Sequence, residues 1–227
     1  MTKQFVRPAT PKPSSKTASL GRPKDPAKGS AILDAAKRMF MLHGFERVSM
    51  DQIATEAGVS KLTVYSHFGD KEALFVAAIR AYCEQRLPTE LFDPSPEIPL
   101  RERLLDIGQA FFQMISSPEA VAGHRVLCAP QITDSNLSAI AWEAGPQRVQ
   151  DALVGLLERR IVARELDIAD VAVAAAQYFT LLKGDLHARL VMGCTNCSLA
   201  AADAHVASAV DMFLRAYAMR TPHDSAA

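Results

Sequence analysis

Cysteine is scarce here, long apolar runs are missing and the net charge is nil. Each absence removes a class of protein. Four cysteines in 227 residues (Cys83, Cys128, Cys194, Cys197) do not make a disulfide scaffold, so a reducing, cytoplasmic setting is expected. No window approaches the roughly 18 consecutive apolar residues of a membrane helix, so no membrane span is expected. The first 30 residues hold no apolar core of a secretory signal, and none is predicted. No catalytic triad, phosphate-binding loop or carboxylate pair stands out, so neither an enzyme activity nor a cofactor is predicted.

What is present is a 49% apolar fraction, enough for a sizeable core in one or two domains. The charge balances in sum but not in place. Residues 1–50 hold ten Lys and Arg against Asp25, Asp34 and Glu46, and the remainder holds fifteen against twenty-two acids. A basic front on an acidic body suggests an N-terminal part that binds a polyanion, although a solvated basic tail has the same composition.

Residues 1–28, rich in Pro, Lys, Ser and Thr, are expected to form a disordered basic arm. Within it, Arg22 and Lys24 flank Pro23 in a short stiff segment that suits an A·T-rich minor groove; a plain flexible tail fits equally. From Ser30 the pattern turns helical, with Ile32, Ala35, Ala36, Met39 and Phe40 at three- and four-residue spacing and Gly44 as a stop. Ser49 and Gln52 have the spacing of a capping box for a second helix, which buries Ile53, Ala54 and Ala57. Gly58 supplies a tight left-handed turn. Ser60 caps a third helix to about His67, and Asp70 caps a fourth with Leu74, Ala77, Ala78, Ala81 and Tyr82 on one face.

Helix, glycine turn, helix behind a supporting helix is the pattern of a helix-turn-helix, whose second helix enters the major groove. Val64 and Phe68 face inward. Lys61, Leu62, Thr63, Ser66 and His67 are left to touch DNA. Ser60, Tyr65 and Lys71 are placed to donate to phosphates, aided by the amides at the start of the fourth helix. The stretch "SMDQIATEAGVSKLTVYSHFGDKEALF" resembles the DNA-binding domain of TetR-family (tetracycline-repressor-like) transcriptional regulators. The resemblance runs from about Ala31 to Ala78. It implies an all-α homodimeric repressor of about nine helices, with a palindromic double-stranded operator as partner. By position it assigns DNA contacts to Ser49, Ser60, Lys61, Leu62, Thr63, Tyr65, Ser66, His67 and Lys71. Two positions depart from the pattern. Leu62 can only pack on a thymine methyl, and Ser66 replaces a common aromatic. The domains implied are the arm, a DNA-binding unit over 29–75, a regulatory and dimerisation unit over 76–220, and a disordered tail over 221–227.

Behind this unit, residues 87–99 break the helical pattern with four prolines, and helices are expected over 100–115, from Pro118 to about Cys128, over 135–163, 169–192 and 199–219. Pro146 should kink or break its helix. The last two helices carry wider apolar faces than one small core needs, and the resemblance implies that they pair with those of a second subunit. "WEAGP" at 142–146 resembles the regulatory domain of an AefR-like subgroup. The family likeness also implies a cavity for a small apolar or amphipathic effector. Phe111, Met114, Trp142, Tyr178 and Phe179 are candidate walls, with Arg125 or His124 as a polar anchor. Each aromatic taken singly fits an ordinary core.

Cys194 and Cys197 form a C-x-x-C flanked by His187 and His205. A redox switch or zinc site is conceivable chemistry. The spacing matches no common zinc module, and no strand precedes the pair as a thiol oxidoreductase would need. Incidental loop cysteines are the plainer reading. A sequence-tolerant architectural DNA binder is the remaining alternative to a repressor.

Overall fold

The computed structural model describes residues 25–95, 97–127, 135–194 and 198–219. Among these the chain is helical with no β-strand; its helices are α1 (Pro26–His43), α2 (Met50–Glu56), α3 (Lys61–Phe68), α4 (Lys71–Arg86), α5 (Leu100–Ser116), α6 (Pro118–Leu127), α7 (Ser135–Trp142), α8 (Arg148–Val162), α9 (Val171–Met192) and α10 (Leu199–Tyr217). A 3-10 turn at Thr89–Phe92 lies in the proline-rich connection. No helix is long and apolar enough to cross a membrane among the described residues.

α1 starts before Ser30. Asp25 caps it by accepting from the Ala27 amide, and Pro26 occupies the first turn, where its missing N–H costs nothing. Residues 26–28, expected in the arm, are therefore helical. The Asp-Pro start signal was masked by the Pro- and Lys-rich composition around it.

Pro146 does not break its helix. α7 and α8 are joined without interruption by a π turn over Glu143–Gln147. Widening the turn accommodates the proline without ending the helix. The reverse holds for α9. At Gly184 the backbone leaves helical space (φ 48, ψ −160), so the expected single helix is two segments.

Two apolar cores form among the described residues. The first gathers Ile32, Phe40, Ile53, Val64, Leu74 and Phe75 from α1–α4, and also Leu137 of α7. The second gathers Leu104, Ile107, Phe111, Leu153, Leu156, Tyr178, Val210 and Phe213 from α5 and α8–α10. α4 serves both, with Leu74, Phe75 and Ala78 in the first core and Tyr82 and Cys83 packed on the second. α4 runs through residue 75 and contributes to both cores.

Candidate nucleic-acid interface

The turn between α2 and α3 is fixed by local chemistry. The Ser49 hydroxyl accepts from the Gln52 amide while the Gln52 side chain accepts from the Ser49 amide at 2.8 Å, the reciprocal capping box. Gly58 takes φ 65, and the Val59 amide closes on the Ala54 carbonyl at 2.9 Å. Val64, fully buried, pins α3 from behind, and Phe68 packs partly buried beside it. α3 thus stands on the head with one face in water.

That face carries Lys61, Leu62, Tyr65 and Ser66, all exposed, with Leu62 at 79%. So large an exposed aliphatic side chain on a short capped helix suits apolar contact with a base methyl. Lys61 Nζ pairs with Asp51 at 2.9 Å, and that hydrogen bond raises the lysine pKa. The pair is exposed on both sides, so water and salt weaken it and a phosphate can replace the carboxylate.

Other expected contacts are already engaged. Ser60 accepts from the Thr63 amide at 3.2 Å, and the two hydroxyls lie 2.8 Å apart, which leaves Thr63 only half-exposed. His67 does not project outward. It is half-buried, its ring 6.1 Å from that of Phe68, and a methyl group on Gly29 would come within 3.2 Å of its Nδ1. The ring props the first turn of α1. Lys71 is turned inward as well, with Nζ 4.2 Å from the centroid of Phe45 and its pKa lowered by burial. At the start of α4 the Asp70 carboxylate takes the Ala73 amide at 2.8 Å, placing a negative charge where a phosphate was expected. Arg22 and Lys24 lie outside the described residues.

One basic group was overlooked. Arg47, two residues before the Ser49 cap, is exposed, with no ion pair among the described residues. Its signal was position alone: a cation in the turn that presents α2.

The expected effector residues separate into two groups. Phe111, Met114, Tyr178 and Phe179 converge as packed core, with ring centroids 4.7 Å apart for Phe111–Phe179 and 5.4 Å for Tyr178–Phe179. The Tyr178 hydroxyl donates to the Leu104 carbonyl, and burial raises its pKa. Trp142 is not with them. It is 47% exposed and donates to Gln147 Oε1 at 3.2 Å across the π turn. Arg125 is committed elsewhere too, donating to the Leu190 and Val191 carbonyls and so capping the C-terminal end of α9. His124 stacks edge-on against His187, 5.4 Å away. An open cleft of about 510 Å³ lies between the 3-10 turn and α8, away from the expected walls. Cys194 is exposed and Cys197 lies outside the described residues, among which no three His, Cys, Asp or Glu are gathered to hold a metal.

Comparison with known proteins agrees with this geometry. Residues 32–78 match the family described as bacterial regulatory proteins, tetR family, and residues 102–219 match the C-terminal domain of AefR-like transcriptional repressors. The solved structure of the Flavonoid-responsive Regulator FrrA is 31% identical, with a TM-score of 0.69, covering 87% of this chain and 100% of FrrA. A TetR family transcriptional regulator from Pseudomonas syringae pv. tomato is 26% identical, with a TM-score of 0.61, covering 86% of this chain and 98% of that one. The HTH-type transcriptional activator FasR of Mycolicibacterium smegmatis is 27% identical over 164 residues, 69% of this chain and 74% of FasR.

Proposed function

Because the chain belongs to the TetR family of helix-turn-helix transcriptional regulators, we propose that it is a repressor that grips a palindromic operator as a homodimer and releases it when a small organic effector binds. The observation that carries this reading is α3 itself: Val64 fully buried behind, and Lys61, Leu62, Tyr65 and Ser66 in water in front. A single such helix reads only a few base pairs, so two copies on half-sites a helical turn apart are needed for a specific site.

The dimer is supported by the outer faces of α9 and α10. Ala172, Val173 and Thr180 on α9 and Ala201, Ala204 and Met212 on α10 are exposed, small or apolar, and allow close helix approach. Repression is supported by the AefR-like repressor match; activation is the second reading, favoured by the likeness to FasR. An organic effector is supported by the likeness to FrrA, named as flavonoid-responsive.

Selection of bound duplexes from a random pool tests the reading. The expected result is a two-fold symmetric consensus bound by two chains. Affinity should fall steeply with salt, with a log–log slope of roughly −4 to −5 for about five phosphates. An asymmetric or absent consensus, or a flat salt response, would overturn it.

A further inference from the structure

The first cation of α3 comes with an anion attached. Lys61 opens the helix and pairs through Nζ with Asp51 Oδ2 at 2.9 Å, the two side chains being 55% and 63% exposed. Asp51 stands in the first turn of α2. Met50, Ile53 and Ala54 turn one side of that helix into the core of the head, which leaves Asp51, Thr55 and Glu56 in water. The ion pair therefore holds a carboxylate within one lysine side chain of the N-terminal end of α3. That is the end of a recognition helix that meets base edges.

An acid in that place is a cost on a surface that meets a polyanion. Asp34 and Glu56 hold Lys37 and Arg38, cations that no DNA contact claims. Asp51 differs: among the described residues it is the one acid paired to a cation of α3. A pair so exposed is weak, so on any duplex a phosphate draws Lys61 away and leaves the carboxylate bare. An ionised carboxylate only accepts, and the base in front of it then decides its energy. Guanine O6, thymine O4 and a purine N7 are lone pairs that repel it, whereas an amino group donates to it. Cytosine suits it better than adenine. The cytosine N4 amine has no acceptor of its own ring beside it in the major groove, but adenine N6 stands next to N7.

We infer that Asp51 is a specificity-determining residue that accepts a hydrogen bond from the N4 amine of one cytosine in each half-site. Lys61 supplies affinity without regard to sequence. Asp51, released by the same phosphate contact, turns base identity into affinity, by attraction at cytosine and by repulsion at other bases. This deepens the proposed function and rests on that reading for the symmetric duplex.

The test selects duplexes from a random pool with the full chain, with Asp51→Ala and with Asp51→Asn. The unsubstituted protein should show a cytosine at one position of each half-site. Asp51→Ala should lose the preference at that position and keep every other. Asp51→Asn should shift it toward adenine, whose N6 and N7 fit an amide. Anisotropy titrations then compare the consensus duplex with one in which both cytosines are replaced. The unsubstituted protein should lose about fivefold or more per half-site. Asp51→Ala should bind the replaced duplex about two- to fivefold more tightly than the unsubstituted protein does, and the consensus duplex more weakly. A residue that only steadies α3 would weaken both. A duplex carrying 2-pyrimidinone, which is cytosine without its amino group, needs no variant: the unsubstituted protein should lose about fivefold or more per half-site on it. A symmetric consensus that Asp51→Ala leaves unchanged, one that it degrades at every position, or indifference to the missing amine overturns the role of Asp51 and leaves the repressor reading standing. An unsubstituted protein that selects no symmetric consensus sinks both.

Discussion

The ring of His205 on α10 occupies the space that a side chain at position 184 would need. Its Nε2 lies 2.8 Å from the Leu182 carbonyl, and a methyl group on Gly184 would come within 2.6 Å of its Cε1. Break and ring are matched: the helix opens at Gly184, and the histidine engages a carbonyl beside the opening. Gly184→Ala should destabilise the fold by about 2–4 kcal/mol, from a backbone conformation open almost only to glycine plus the clash. In the Gly184→Ala/His205→Ala pair the clash is gone and the backbone cost remains. In urea unfolding the double variant should therefore lose less stability than the sum of the two single variants.

At the DNA face, Lys61 and Lys71 should behave differently. Lys61→Ala should lower affinity for all duplexes alike and flatten the salt slope by roughly 2 per dimer, one phosphate for each subunit. Lys71→Ala should act first on stability. Loss of the cation over Phe45 should cost the head about 1 kcal/mol and lower Tm. Fluorescence anisotropy over a salt series and thermal unfolding separate the two. A Lys71→Ala protein of unchanged Tm and flattened slope would show that the lysine swings out to DNA.

Leu62→Ala should leave the salt slope intact and relax the sequence preference, since an alkyl group touches base methyls and not phosphates. Duplex selection repeated with this variant should lose information at one position per half-site and keep the symmetric spacing. Loss at every position would mean that Leu62 instead holds α3 in place.

Gly145 sits in the π turn where α4 comes closest. A methyl there would meet Ile79 at 2.8 Å and the Cys83 sulfur at 3.2 Å. Gly145→Ala should cost about 1–3 kcal/mol by overpacking, read by urea unfolding. Cys83, its thiol pKa pushed up to about 11 by burial, should resist maleimide in the native protein and react in this variant if α4 is displaced. Peptide mapping after a short pulse reads that site alone.

His124 and His187 should give the protein an acid-side weakness. Burial lowers both pKa values below the ordinary 6.5, with repulsion from Lys183 acting on each and from His124 on His187; the Ile115 carbonyl partly opposes this at His187. The unfolded chain then binds protons more readily than the folded one. Stability is fully present above the unfolded value and declines as pH falls through about 6.5 and below. His187→Gln should flatten this part of a Tm-versus-pH curve. An unchanged slope would place the acid sensitivity elsewhere.

Much of the head could be read from the chain because its determinants are local. Ser49 with Gln52, Gly58, Ser60 and Asp70 specify caps and turns within three or four residues of themselves, and Val64 shows its inward role by its spacing from the other apolar positions. The side-chain directions were less legible. Lys71 and His67 looked outward by position, yet Phe45 and Gly29, more than twenty residues away in sequence, hold them in.

The regulatory half divides in the same way. Apolar periodicity along each segment determined that these residues would be helices and which residues would be core, as Phe111, Tyr178 and Phe179 are. Only the tertiary structure decided that Pro146 would be absorbed in a π turn, that Gly184 would break α9, and that Arg125 and Trp142 would be spent away from the core. It also decided that Arg103, an ordinary cation in the sequence, would be buried. A helix is made by bonds four residues apart and so is written in its own segment. The destination of a side chain depends on what other helices bring against it, and no single stretch of sequence contains that.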